Sequence, residues 1–340
     1  MTKVYYKKFK DLNGISDIND ITYKMLEKII SENNIELKGT VPIKVHFGEK
    51  GNTTYVTPDH YEGIRKYLKD NNIDSCYIET NVLYKGSRTK TKDHIETALE
   101  HGFTDLDIVI ADGDDKEPYK EVSIDGKHFT KCKIGTKYAN YSQYIIASHF
   151  KGHISAGAGG SIKQLAMGFA SRAGKLHQHS ENIPQIKKDK CVACGNCIDI
   201  CPVSAINVEE NAIIDSSKCI GCASCVSSCP FNAIGNTFDL EFFQEKLAEY
   251  ALAATKEKEN IYISFAKNIT ELCDCAGMHM DTITDDIGVF ASTDPVAIDK
   301  AMYDLFKEQS KLDTFDNITK TLNHAEKIGL GSMEYELIEI

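Results

Sequence analysis

The residues most obviously equipped for chemistry are cysteines. CVACGNCIDICPVSAI, beginning at Cys191, and CIGCASCVSSCPFNAI, beginning at Cys219, are two copies of C-x2-C-x2-C-x3-C-P set 28 residues apart. In this spacing three thiolates of one copy clasp a cubane while the cysteine before the proline crosses to the other cluster. The repeat therefore assigns Cys191, Cys194, Cys197 and Cys229 to one 4Fe-4S cluster and Cys219, Cys222, Cys225 and Cys201 to a second. Structural zinc is the alternative, since C-x2-C pairs also bind that ion. The duplicated C-P endings and small-residue gaps favour the clusters. Pro202 and Pro230 would turn the chain after each fourth ligand, and Ile206 and Ile234 would cover the clusters. Cubanes imply one-electron steps and a redox partner protein such as a ferredoxin, a flavodoxin or a reductase.

A second set of reactive residues lies outside the repeat. SHFKGHISAGAGG, from Ser148 to Gly160, carries His149 and His153 and then a glycine run that opens into a helix. Gly157, Gly159, Gly160 and Ser161 would present backbone N-H groups and a helix N-terminus to an anionic small molecule or a phosphate-bearing cofactor. No G-K-S/T ending follows, so this is not a nucleotide P-loop. A tight connection needing glycine for close packing explains the same residues. Lys151, Lys163, Arg172 and Lys175 add positive charge nearby.

CDCAGMH places Cys273, Asp274, Cys275 and His279 in one short stretch. Thiolate, carboxylate and imidazole suit an additional transition metal, and thiolate or imidazole also serve as nucleophile or base. A pair of reduced thiols without metal fits equally well. His149 and His153 share a face only if their segment is helical, which Gly152 disfavours. His177 and His179 are further candidates, although a polar connector accounts for them too. Cys76 and Cys132 read as small buried apolar residues.

The elements that must position these groups alternate. Val41–Phe47 reads as a strand, followed by a helix with Thr57 as N-cap and Pro58 in its first turn. CYIET and LDIVIADG read as strands flanking the helix KDHIETALEHG, which Gly102 ends. Glu121 to Ile134 reads as a hairpin around Asp125-Gly126. YIIASHF is a buried strand and Ser161–Ser171 a helix. Beyond the cysteine repeat come a long amphipathic helix from Phe238, the strands IYISFAKNI and IGVFAS, a helix capped by Asp294, another near Ile318–Ile328, and a last strand.

This order predicts an α/β fold, a mostly parallel sheet with helices on both faces, plus an inserted small α+β two-cluster ferredoxin module. The expected division is residues 1–183 and 237–340 for the α/β domain and 184–236 for the insert. Ligands of such sheets bind beyond the carboxyl ends of the strands. His46, Glu49, Asp112, Asp114, His149, His153, the Cys273–Cys275 stretch and the Asp286–Asp294 region are expected at that edge.

With 340 residues, 42% hydrophobic content and a formal net charge of -11, the chain is expected to be globular, with no attraction to nucleic acid or to an anionic membrane. MTKVYYKKFK is not followed by an apolar run, so a cytoplasmic location is expected. In a reducing compartment, twelve cysteines point to metal or redox chemistry, and oxygen-poor conditions follow.

SHFKGH, GAGGSIKQLAMGFASRAGKLHQHS, the two cysteine motifs, the CDC triplet and DIGVFASTDPVAID together resemble the family catalogued as domain of unknown function 362, in its form with a ferredoxin insert. The resemblance implies the architecture and the clusters but little chemistry. Similar sequences often read K-N-L where this one has Lys163-Gln164-Leu165, and the variable stretch after CDC makes His279 the weakest ligand candidate. The reading reached is an iron-sulfur oxidoreductase with a second, anion-binding site. Cys273, Cys275, His149 and His153 would bind a metal or move protons, with Asp274 orienting them and Lys163 beside them. A carrier that docks a partner enzyme without catalysis, and a non-redox metal-assisted lyase or isomerase, are the alternatives.

Overall fold

The computed structural model describes residues 1–84, 86–113, 119–153, 155–179, 183–201, 203–219, 225–226, 229–235 and 242–340. Asp114, Pro202, Cys222 and Asn236, which the sequence reading singled out, lie outside them.

One eight-stranded sheet organises the larger part of the chain. Its order is Tyr335–Glu339, Thr2–Lys8, Gly288–Ser292, Glu259–Ala266, Gln143–His149, Ile43–Lys44, Tyr77–Glu79, Ile108–Ile110. Every strand runs in one direction except Gly288–Ser292, which is antiparallel to both neighbours. Strand periodicity explains the burial. Along Gln143–His149, Tyr144 and Ile146 enter one apolar core while Ile145 and Ala147 enter the other. Both faces are covered, so the strand is buried throughout.

Helices Ile15–Asn33 and Glu62–Asp70 pack on one face; Ser161–Phe169, Phe243–Thr255, Pro295–Ser310 and Ile318–Lys327 pack on the other. The chain is therefore an α/β fold with a mostly parallel sheet between two helical layers. No helix among the described residues is long and apolar enough to cross a membrane.

Several local expectations are corrected. The turn at Thr57–Pro58 is a 3-10 helix, Pro58–Tyr61, before the α-helix begins at Glu62. The hairpin Tyr119–Ser123/Lys131–Gly135 has a longer connection than a two-residue Asp-Gly turn, closed by Ile124 N-H to Thr130 O at 3.0 Å. Gly126 serves close packing there, since a Cβ would lie 2.3 Å from Glu249 Oε2. His177 and His179 belong to a helix, Arg172–His179, rather than to a connector.

The cysteine repeat forms a small unit with its own core of Cys197, Ile206, Ala212, Cys225, Cys229, Ala233 and Ile234. The short strands Gln185–Ile186 and Ile234–Gly235 pair antiparallel at its base, so the chain enters and leaves side by side. The internal repeat is visible in matched bonds. Cys191 N-H donates to Lys187 O at 3.1 Å and Cys219 N-H to Asp215 O at 3.0 Å. Ala205 N-H donates to Cys201 Sγ at 3.2 Å and Ala233 N-H to Cys229 Sγ at 3.3 Å.

Candidate functional site

The carboxyl ends of the parallel strands open into a cavity of about 570 Å³. His46, Glu79 and His149 come from three strand ends, Gly159 and Lys163 from the glycine segment and its helix, and Cys275 from the CDC loop. The far wall belongs to the small unit, through Val226, Asn232 and Ile234. Among the described residues, Arg88, Lys151, Lys163, Lys175 and Lys187 line the cavity against one carboxylate, Glu79. In a chain of net charge -11 this is a local excess of positive charge, and it selects for an anion.

Most of these cations are already held. Lys44 Nζ pairs with Glu79 at 2.8 Å in full burial, and burial pushes that amine down while Glu79 opposes the change. Arg88 donates to Tyr84 OH at 2.6 Å and to Glu49 at 3.3 Å. Lys175 donates to Thr80 Oγ1 at 2.5 Å and Ala170 O at 2.7 Å, and burial lowers it to about 8. Lys151 lies 3.0 Å from Asp274. Lys163 differs: it has no ion-pair partner among the described residues, and burial, reinforced by Lys151, brings its amine to about 7. The two lysines flank Gly159, each with a side-chain carbon 3.5 Å from where a Cβ would stand.

His149 and His153 do not act as a pair. His149 Nδ1 meets Asp274 at 2.9 Å and Nε2 meets Lys267 O at 2.6 Å, contacts that only a doubly protonated ring satisfies together. Burial opposes ionisation of Asp274, but His149 and Lys151 hold it well below the usual carboxylate range. His153 Nδ1 instead accepts from the N-H groups of Ser155 at 3.2 Å and Ala156 at 3.1 Å. That bonding requires a neutral ring, as does burial beside Lys163, which lowers the group well below its ordinary value. His46 is similar: Nδ1 accepts from Gly48 N-H at 3.1 Å, and burial followed by Arg88 depresses it. The cavity is thus offered a lysine amine and the neutral imidazoles of His46, His153 and His179, the last brought down to about 4 by burial and then by Lys163.

The glycine segment is not an open anion cradle. Ser161 N-H and Ile162 N-H, at the start of helix Ser161–Phe169, donate to Asp299 at 2.7 and 2.9 Å. A Cβ on Gly160 would lie 2.5 Å from Asp299 Oδ1, and one on Gly157, at φ +80°, would lie 2.5 Å from Ile318 N. Close packing therefore explains Gly157, Gly160 and Ser161, and the cap that a ligand was expected to provide is internal. Gly159 and Gly160 line the cavity. Beneath them Ser161 Oγ bonds with Ser264 Oγ at 3.1 Å, and Ser264 with Ser148 at 2.5 Å.

Cys273 and Cys275 are joined by a disulfide, so in this form they offer no thiolate to a metal or substrate. His279 is exposed and contacts Thr53 at 2.7 Å rather than the cavity. Asp294 lies at the opposite edge of the sheet, because its strand runs antiparallel, and caps helix Pro295–Ser310 through Val296 N-H at 2.8 Å. Asp286, at the other end of that strand, accepts from Asn268 N-H at 2.6 Å. Asp112 is tied to Asn81 and Arg172 backbone N-H groups at 2.8 and 3.1 Å. Cys76 and Cys132 are buried as expected. Glu79, Arg88 and Asp299 were not singled out from sequence. Glu79, ending the CYIET strand, was the one with a visible signal.

In the small unit Cys191, Cys194, Cys197 and Cys229 line one void. Among the described residues no group of histidines, cysteines or carboxylates converges on a single metal ion. Backbone N-H groups are directed at the sulfurs of Cys191, Cys201 and Cys229, an arrangement that would stabilise thiolate ligands of a metal ion or of a cluster alike. Ile234 lines both this void and the large cavity.

The profile of a family described as Domain of unknown function (DUF362) matches residues 41–304. No curated protein matches the chain. A structural-genomics structure of a protein from Thermotoga maritima aligns with TM-score 0.45 and 8% identity, over 95% of this chain and 61% of that one. The lactate racemase apoprotein from Thermoanaerobacterium thermosaccharolyticum aligns with TM-score 0.41 and 13% identity, over 94% of this chain and 58% of that one. The chain thus spans roughly 60% of the length of these two structures.

Proposed function

The chain belongs to the DUF362 family, whose name assigns no chemistry, and from its own geometry we propose that it is an iron-sulfur oxidoreductase acting on an anionic small molecule. Loaded with two 4Fe-4S clusters through the cysteines of the repeat, the inserted ferredoxin-like module of residues 184–236 would supply single electrons. One observation carries the reading: Ile234 is a wall of both the cysteine-lined void and the cationic cavity. An electron donor held by Cys191, Cys194, Cys197 and Cys229 would stand one side chain from the ligand.

The chain's own residues have distinct tasks. Lys163, as its ammonium form, would bind the carboxylate or phosphate of the ligand, while His46 and His153 would donate hydrogen bonds from Nε2. Asp274 fixes His149 and Lys151, which keeps positive charge beside the ligand without a mobile carboxylate in the cavity. Val226 and Ile234 of the small unit would put apolar surface on the side facing the electron donor. The reading includes a cytoplasmic, oxygen-poor setting and a single-electron partner such as a ferredoxin, a flavodoxin or a reductase.

Calorimetry with inorganic phosphate and with succinate on the anaerobically loaded protein tests the ligand side. At least one should bind to the wild type and lose about tenfold or more in affinity in Lys163→Met, while electron paramagnetic resonance of the reduced clusters is unchanged. Equal binding by both proteins contradicts the assignment. A docking carrier without catalysis is the second reading, favoured by Val192, Ile198, Ile200 and Phe231, which stand 56, 41, 47 and 46% exposed on the small unit. It predicts reducible clusters with no anion site.

A further inference from the structure

We infer that the Cys273–Cys275 disulfide is a two-electron redox centre in the cavity wall, opened to a dithiol by single electrons from the adjacent iron-sulfur module. The inference rests on the iron-sulfur reading above and adds to it a place where single electrons are paired.

Three observations carry it. The first is location. Cys275 lines the cavity whose other side is Val226 and Ile234 of the small unit, and Cys273 is 7% exposed behind it. The second is that the bond is poorly suited to be a staple. It links residues two apart, and a disulfide that closes so short a loop removes little chain entropy from the unfolded state.

The third is that the loop is held by groups other than sulfur. Asp274 receives His149 at 2.9 Å and Lys151 at 3.0 Å through its side chain and Glu49 N-H at 2.9 Å through its carbonyl. Asn52 donates to Ala276 O at 3.1 Å on the far side. The sulfurs can part while the backbone stays in place. Cys76, Cys132, Cys191, Cys194, Cys197, Cys201, Cys219 and Cys229 are free thiols. An isolated disulfide in a thiol-rich chain of a reducing compartment is characteristically a catalytic or redox-sensing one.

The chemistry balances. The Sγ–Sγ bond breaks on taking up two electrons, delivered one at a time by an iron-sulfur donor that loses one electron on each delivery. Two protons from solvent in the cavity complete two S-H groups. Lys151 and Lys163 beside the loop favour the thiolate stage through their charge.

The test is thiol labelling of the anaerobic, cluster-loaded protein with iodoacetamide, mapped by mass spectrometry, before and after reduction by dithionite. Cys273 and Cys275 should be protected before reduction and both labelled after it. Iron-depleted protein given dithionite for the same time should stay protected. Labelling before reduction, protection after the clusters are reduced, or equal labelling of the iron-depleted protein overturns the inference. Reductive titration gives an independent readout: wild type should take up about two electrons more than the Cys273→Ser/Cys275→Ser variant, and equal uptake overturns it. A normal resonance from reduced clusters with inert sulfurs removes this inference alone. A loaded protein with no such resonance removes the iron-sulfur reading as well.

Discussion

Lys163 sets the pH behaviour of the cavity. Its ordinary value of 10.5 falls to about 7 through burial and the charge of Lys151. The ammonium form is therefore present below about 7 and lost above it. Affinity for phosphate or a carboxylate should fall roughly tenfold per pH unit above about 7, and Lys163→Met should abolish that slope; calorimetry across pH 6 to 9 checks it. Asp274 has the opposite character, because its charge offsets two cations. Asp274→Asn leaves His149 and Lys151 facing each other in a buried site and should cost about 3–5 kcal/mol in denaturant unfolding. A loss under 1 kcal/mol would contradict the buried pairing.

At the scale of elements, the joint between helices Ser161–Phe169 and Pro295–Ser310 replaces the anion cradle expected at the glycine run. Gly160→Ala should destabilise by about 1–3 kcal/mol, since its Cβ would meet Asp299. Burial raises Asp299 from 3.8 to about 7. Between those values the unfolded chain has released a proton that the folded chain keeps, so stability contributed here is present in acid and declines as pH rises from about 4 to about 7. Asp299→Asn should flatten that decline in thermal melts.

The strands themselves were legible, because apolar runs such as YIIASHF and IYISF need only local pattern to be recognised. Their direction was not. The reversal of Gly288–Ser292 moved Asp294 to the far edge while leaving Asp286 at the cavity edge. Asp299 was invisible for a related reason: it acts on Ser161 and Ile162, 138 and 137 positions away, and no local spacing marks such a partner. His153 and Lys163 were found because they lie beside the glycine run, whereas Arg88 and Glu79 reach the cavity from separate elements.

For the whole molecule, the cysteine repeat was the clearest feature in the sequence, and its matched backbone bonds reproduce it in three dimensions. Among the described residues of the small unit, three of the seven in its core are cysteines, so that core would lose much of its cohesion without its clusters. Iron chelation should speed amide exchange across residues 184–235 while the sheet strands keep their protection, measured by hydrogen-deuterium exchange.

Every functional statement depends on what the eight repeat cysteines bind, and composition decides it most directly. Protein isolated anaerobically should contain about eight irons and about eight acid-labile sulfides per chain, with a resonance that appears on reduction. About two zinc ions per chain and no labile sulfide would contradict the account, since zinc cannot deliver electrons to the cavity beyond Ile234.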